Sequence, residues 1–143
     1  MTTRIENALV NTQISTPCLV LDREQVAKNY QQFCKRLKEF EIFYAVKANP
    51  HPDILALLAS EGAHFDCASF HEISLVLAAG GAPSSISFGS TLKKVGDIAS
   101  AYNVGVRHFT FDAREELQKI ADYAPGSRVC CRILTDDIGS NAQ

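Results

Sequence analysis

Short apolar runs recur along the chain at a nearly fixed interval. IFYAV from Ile42, HFDCA from His64, ISFG from Ile86, HFTF from His108 and VCCRI from Val129 each read as a buried strand, and their starts are 22, 22, 22 and 21 residues apart. Runs this short and this apolar belong to strands covered by other elements. An amphipathic stretch fills each of the first four gaps. Leu55, Leu57 and Leu58 mark the first, Ile73, Leu75, Val76 and Leu77 the second, Val95 and Ile98 the third, and Leu117 and Ile120 the fourth. Strand, helix, strand at this spacing makes parallel, right-handed crossovers.

The polar punctuation sharpens the boundaries. Ser69 with Glu72 has capping-box spacing, as do Asp112 with Glu115 and Asp22 with Gln25. Gly62, Gly80 with Gly81, and Gly105 fall where helices should stop. Ahead of the repeat, Thr16 to Leu21 (TPCLVL) reads as a strand, and Asp22 then opens a helix with Val26, Tyr30, Phe33 and Leu37 on one face. The expected division is therefore a strand and helix over 1–40 and a strand-helix repeat over 41–143. The repeat suits either an open doubly wound sheet or an eight-fold barrel of about 200 residues or more. Five units fit here, and LTDDIGSNAQ follows the fifth strand with no helix to cover it, so the repeat reads as an incomplete barrel, truncated at Gln143.

Composition narrows the function classes. At 46% hydrophobic and 21% charged, the 143 residues have the balance of a globular protein. A net charge of −2 offers no basic footprint for nucleic acid or anionic membranes. No apolar run approaches the roughly 18 residues of a membrane span, and the N-terminus lacks the pattern of a signal peptide. A cytoplasmic location is the default expectation. Cys18, Cys34, Cys67, Cys130 and Cys131 have no metal-ligand spacing and are expected to pack as small hydrophobes.

In parallel strand-helix folds, reactive groups collect at the C-terminal ends of the strands. Lys47, Asp66 and Arg132 fall at the first, second and fifth of those ends. A lysine leaving a strand as apolar as IFYAV is expected to be partly desolvated, which favours the neutral amine a Schiff base needs. The plainer alternative is a strand-end ammonium in water. Asp66 suits either the tuning of a cofactor or an ordinary strand-end carboxylate. Arg132 suits an anionic ligand or an ion pair with Asp136 or Asp137. Glu72 is taken up by its cap, His51 sits in a solvated turn between prolines, and Lys93 and Lys94 fall on a helix surface by their spacing. Gly80-Gly81 ends a helix instead of opening one, which is the wrong place for a phosphate loop.

The same residues resemble a known family. FYAVKANP at 43–50 is similar to the lysine motif of the fold-type III, pyridoxal-phosphate decarboxylases of basic amino acids, and FDCASFHEI at 65–73 to their second signature. SFGSTLKK at 87–94 and FTFDAREELQKI at 109–120 resemble the next two units, and CRILTDD at 131–137 the fifth strand of the ornithine decarboxylase branch. The likeness runs from Thr16 onward. Asn49-Pro50-His51-Pro52 departs from the Ala-Tyr-Gly turn of alanine racemases.

The resemblance implies an α/β fold: about five units of an alanine-racemase-like barrel, preceded by a strand that belongs with a β domain beyond these residues. It implies pyridoxal 5'-phosphate held by Lys47, with Asp66, Arg132 and Ala45 beside the cofactor. It implies decarboxylation of ornithine to putrescine in polyamine synthesis, lysine being the alternative, by a homodimer with shared sites. The family's His-Val-Gly-Ser segment, glycine-rich phosphate loop, pyridine-side Glu and Cys-Asp pair do not occur in this sequence, so these residues alone are expected to be inactive. A non-catalytic regulator of the antizyme-inhibitor kind is the rival from a different class. A single-domain pyridoxal-phosphate homeostasis protein is a weaker match, because it lacks the TDD segment and the opening strand.

Overall fold

The 22-residue period folds as a five-stranded parallel sheet. The structure is a computed structural model and describes residues 3–12 and 14–135. They divide into two compact units, Met1–Ile42 and Phe43–Gln143.

The first unit holds α1 (Thr3–Asn11) and α2 (Arg23–Arg36). Asp22 caps α2 as its spacing predicts, its Oδ1 accepting from the Gln25 N–H at 3.1 Å. Val26 and Tyr30 are half-buried, whereas Phe33 and Leu37 are exposed. The strand expected over Thr16–Leu21 does not form. An extended segment counts as a strand only when a neighbour completes its ladder, and the described residues supply none there. Helix α1 was not expected, although Thr3 and Glu6 have capping-box spacing and Ile5, Ala8 and Leu9 recur at helical spacing.

In the second unit, β1 (Phe43–Ala45), β2 (His64–Cys67), β3 (Ile86–Phe88), β4 (His108–Phe111) and β5 (Arg128–Cys131) lie in the order β1-β2-β3-β4-β5, every pair parallel. A doubly wound sheet reverses its order at a switch point; a barrel does not. The unbroken sequential order therefore decides between the two architectures in favour of a barrel arc. Helices α3 (Pro52–Ser60), α4 (Phe70–Ala78), α5 (Val95–Asn103) and α6 (Arg114–Tyr123) make the crossovers, and one hand of crossover puts them all on one face.

The register separates the two faces. Phe65, Cys67, Ile86, Phe88 and Phe109 form the helix-facing core, and each is at most 1% exposed. Ile54, Leu55 and Leu58 of α3, Ile73 and Val76 of α4, Ile98 and Ala101 of α5, and Ile120 of α6 are buried with them. The opposite face carries mostly polar side chains: Ala45, Asp66, Ser87, His108 and Arg128 are successive register partners in one row. Burying three phenylalanines accounts for a large part of this core, since truncating one in such a site costs about 3–5 kcal/mol.

Gly62, Gly80 and Gly105 end helices at positive φ, as their positions predict. Several local expectations are corrected. Asp112 does not cap α6, whose N-cap is Ala113 without a side-chain bond. Leu117 lies at the edge of the buried stripe, and Glu116 takes the covered position instead. Of the cysteines only Cys67 is buried; Cys18, Cys130 and Cys131 are exposed.

Candidate active site

Three side chains singled out from the sequence come together beyond the C-terminal strand ends. Lys47 leaves β1 on a single 3-10 turn, Val46–Ala48, anchored by the fully buried Val46. The turn is braced from behind, where the Tyr44 hydroxyl donates to the Asn49 carbonyl at 3.2 Å and Asn49 Oδ1 accepts from the His51 N–H at 3.0 Å. His51 is more than a solvated turn residue. Its Nδ1 accepts from the Asp53 N–H at 3.3 Å and caps α3, ahead of a proline at the first helical position. Lys47 itself is exposed, so the apolar strand does not desolvate it as expected.

Asp66 sits on β2 in register with Ala45 of β1 and Ser87 of β3. Burial raises its carboxyl above the ordinary 3.8 and outweighs the opposing pull of Lys47 and of Arg132; Glu72 raises it further and His108 lowers it. Lys47 and Arg132 thus both lie within Coulombic range of one half-buried carboxylate. Next to it, Cys67 is kept as a thiol, its pKa pushed up to about 12 by burial and by the charges of Glu72 and Asp66.

Arg132 continues the β5 ladder, donating its N–H to the Phe111 carbonyl at 2.8 Å, and its exposed guanidinium reaches the Gly89 carbonyl at 3.5 Å. Arg132 and Asp112 line one recess with Ile133 and Leu134. The expected alternative partners of Arg132, Asp136 and Asp137, lie outside the described residues. Glu72 closes its capping box with a one-residue difference: Ser69 Oγ accepts from the Glu72 N–H at 3.2 Å, and Glu72 Oε2 accepts from the Ala68 N–H at 2.6 Å.

Two residues near this rim were missed. Gly89 lies against Asp66 so closely that a Cβ there would stand 1.8 Å from Asp66 Oδ1. Lys93, expected on a helix surface, has a fully buried side chain whose Nζ lies 3.1 Å from Glu116 Oε2. Burial lowers the Lys93 pKa against the pull of Glu116. Burial alone would raise Glu116, but hydrogen bonds from Lys119 and Lys93 hold it below the usual carboxylate range. The signal was present in the sequence: a Glu four residues before Ile120 occupies a stripe position where an apolar residue belongs.

Comparison with known proteins agrees with the parallel strand-helix fold. Residues 23–143 match the family model described as pyridoxal-dependent decarboxylase, pyridoxal binding domain. The chain belongs to the pyridoxal-dependent decarboxylase family. The lysine/ornithine decarboxylase of Selenomonas ruminantium is 40% identical over 121 residues, covering 85% of this chain and 31% of the relative. Antizyme inhibitor 2 of Xenopus laevis is 37% identical over 139 residues, covering 97% and 30%. The crystal structure of the Paramecium bursaria Chlorella virus arginine decarboxylase bound to agmatine superimposes with a TM-score of 0.85 at 33% identity, covering 94% of this chain and 37% of that one. The decarboxylase-family chain thus spans about three-tenths of the length of its curated relatives. The family's cofactor is pyridoxal phosphate, and the rim suits it. An amine is present for its aldehyde, that amine and a guanidinium lie within Coulombic range of one carboxylate, and Ala45, a bare methyl, lies in the row beside Asp66.

Proposed function

We propose that these residues form the cofactor-holding rim of a decarboxylase whose substrate is a basic amino acid, L-ornithine giving putrescine for polyamine synthesis. The observation that carries the reading is the convergence of Lys47 and Arg132 on the Asp66 carboxylate within a pyridoxal-binding domain. In this reading Lys47 would hold the cofactor through its side-chain amine. Asp66 keeps a negative charge beside Lys47 and orients the amine. Arg132 balances that charge and faces anionic groups of the ligand. Ala45, with only a methyl, would leave room for the cofactor beside Asp66. Bound pyridoxal phosphate supplies the electron sink that accepts the charge left when carbon dioxide departs.

L-Lysine is the alternative substrate, and the Selenomonas relative carries both names. The full-length protein works as a cytoplasmic homodimer with shared sites, and residues 1–143 alone do not turn over. A second reading, a non-catalytic regulator, is supported by the likeness to antizyme inhibitor 2.

The test is made on the full-length protein. The wild type should show a visible absorption band with pyridoxal phosphate, and borohydride should fix the cofactor to the peptide containing Lys47. Lys47→Ala should lose the band and most of the release of carbon dioxide from ornithine while keeping its melting temperature, because an exposed lysine adds little to the core. Label on another lysine, or an undiminished rate in the variant, contradicts the assignment. A wild type that binds no cofactor and releases no carbon dioxide favours the regulator.

A further inference from the structure

We propose that Lys93 is a positioning residue for the candidate site, its buried ammonium pinning the β3–α5 loop so that Gly89 is wedged between Asp66 and Arg132. The inference rests on the functional reading above for its catalytic consequence, and on geometry alone for the placement.

The ladder between β3 and β4 stops at the pair Phe88 and Phe109. Past that point β3 turns away into the loop 89–94, and the next carbonyl on β4, that of Thr110, loses its ladder neighbour. Lys93 fills the gap. Its Nζ donates to the Thr110 carbonyl at 2.6 Å and to the Ser90 carbonyl at 2.8 Å, and forms an ion pair with Glu116 Oε2 at 3.1 Å. The Lys93 backbone is held as well: its N–H donates to Glu116 Oε1 at 3.3 Å, and its carbonyl accepts from Lys119 Nζ at 2.7 Å. Lys119 also pairs with Glu116. One buried charge cluster therefore ties the loop to β4 and to α6.

The loop residue next to the pinned Ser90 is Gly89. Its N–H donates to the Cys67 carbonyl at 2.9 Å, one residue beyond Asp66, and its carbonyl takes the Arg132 guanidinium at 3.5 Å. No side chain fits on its Asp66 side without moving the carboxylate. Fixing Ser90 therefore fixes the spacer that sets where Asp66 and Arg132 stand. Lys93 touches none of the groups assigned to the cofactor and acts through Gly89.

The test uses the full-length protein and has one readout that needs no cofactor. The titration midpoint of the Asp66 carboxyl, followed by carbon NMR without cofactor, reports the charges facing it: Lys47, Arg132, Glu72 and His108. An opposite charge within about 4–6 Å moves a carboxylate by about 1–3 units, so displacement should shift the midpoint by about half a unit or more in Lys93→Met and in Gly89→Ala. With cofactor bound, both variants should lose on the order of 10-fold to 100-fold in kcat with KM little changed, the pattern of a misplaced site. If Lys93→Met does not fold, Lys93→Met with Glu116→Gln replaces it, since that pair leaves no buried charge alone. Gly89→Ala leaves the ion pair intact and tests the wedge from its other end. Folded Lys93 variants with the wild-type midpoint and kcat overturn the proposal, as does an unshifted midpoint in Gly89→Ala. If the wild type binds no cofactor, the functional reading falls and the midpoint alone decides the placement.

Discussion

At the scale of single residues, Asp66 is the most informative group. Burial sets its carboxyl above the ordinary 3.8, with Lys47 and then Arg132 drawing it back. A raised pKa in the folded state means that the folded state holds the proton more tightly than the unfolded chain. Ionisation then costs stability. The cost is absent below pH 3.8, grows as pH rises between the ordinary and the raised value, and is constant above. Asp66→Asn removes that pH-dependent part. Without cofactor, the melting temperature of the variant minus that of the wild type should rise across this window and then level off. A difference that falls with rising pH would show that the cations outweigh burial. Lys47 and Asp66 were legible because a parallel repeat puts strand ends on one rim. The stripe position of Glu116 signals a buried carboxylate but not its partner: Lys93 lies 23 residues from Glu116 and 17 from Thr110, so no local spacing announces the pairing.

At the scale of elements, the sequence resolved best what is local or strictly periodic. All five strands and four covering helices were readable, because the 22-residue period recurs and a helix-ending glycine or a cap such as Ser69 marks several of the boundaries. The segment Thr16–Leu21 has no ladder among the described residues, because strand character depends on a neighbour that local pattern does not supply. Asp112 was misread as a cap because the same spacing serves a residue that instead lines a recess with Arg132. The cap at Ser69 is a case where sequence and structure agree, and it has a measurable consequence. Helix α4 starts three residues after Cys67, so its first turn supports the rim that carries Asp66. Ser69→Ala leaves the Glu72 N–H without its acceptor and should cost about 1 kcal/mol, read as a lower denaturant midpoint at unchanged slope. Ser69→Asp should retain most of that stability, since Asp accepts the same bond next to a helix N-terminus.

At the scale of the whole molecule, the sheet is an arc, and the two sides of the arc differ in how completely they are covered. The row of buried phenylalanines ends at Phe109, and beyond it every residue of β5 is exposed. Val129 is 45% exposed, Ile133 73% and Leu134 100%. Among the described residues no strand pairs with the outer edge of β5, so its free backbone groups lie beside an apolar patch. An edge of that kind recruits another strand, and in a polypeptide of residues 1–143 the β5 of a second copy presents the same open edge and apolar patch. Such a polypeptide should self-associate at tens of micromolar, the range in which exposed edges drive aggregation. Sedimentation velocity across a dilution series should show species heavier than a monomer that dissociate on dilution. Val129→Lys should weaken the association, because a charge on an edge strand opposes pairing, and should leave the Phe65, Phe88 and Phe109 core unaltered. A monomer at every concentration, melting cooperatively, would show instead that the five-unit arc is self-sufficient and that its open edge attracts nothing.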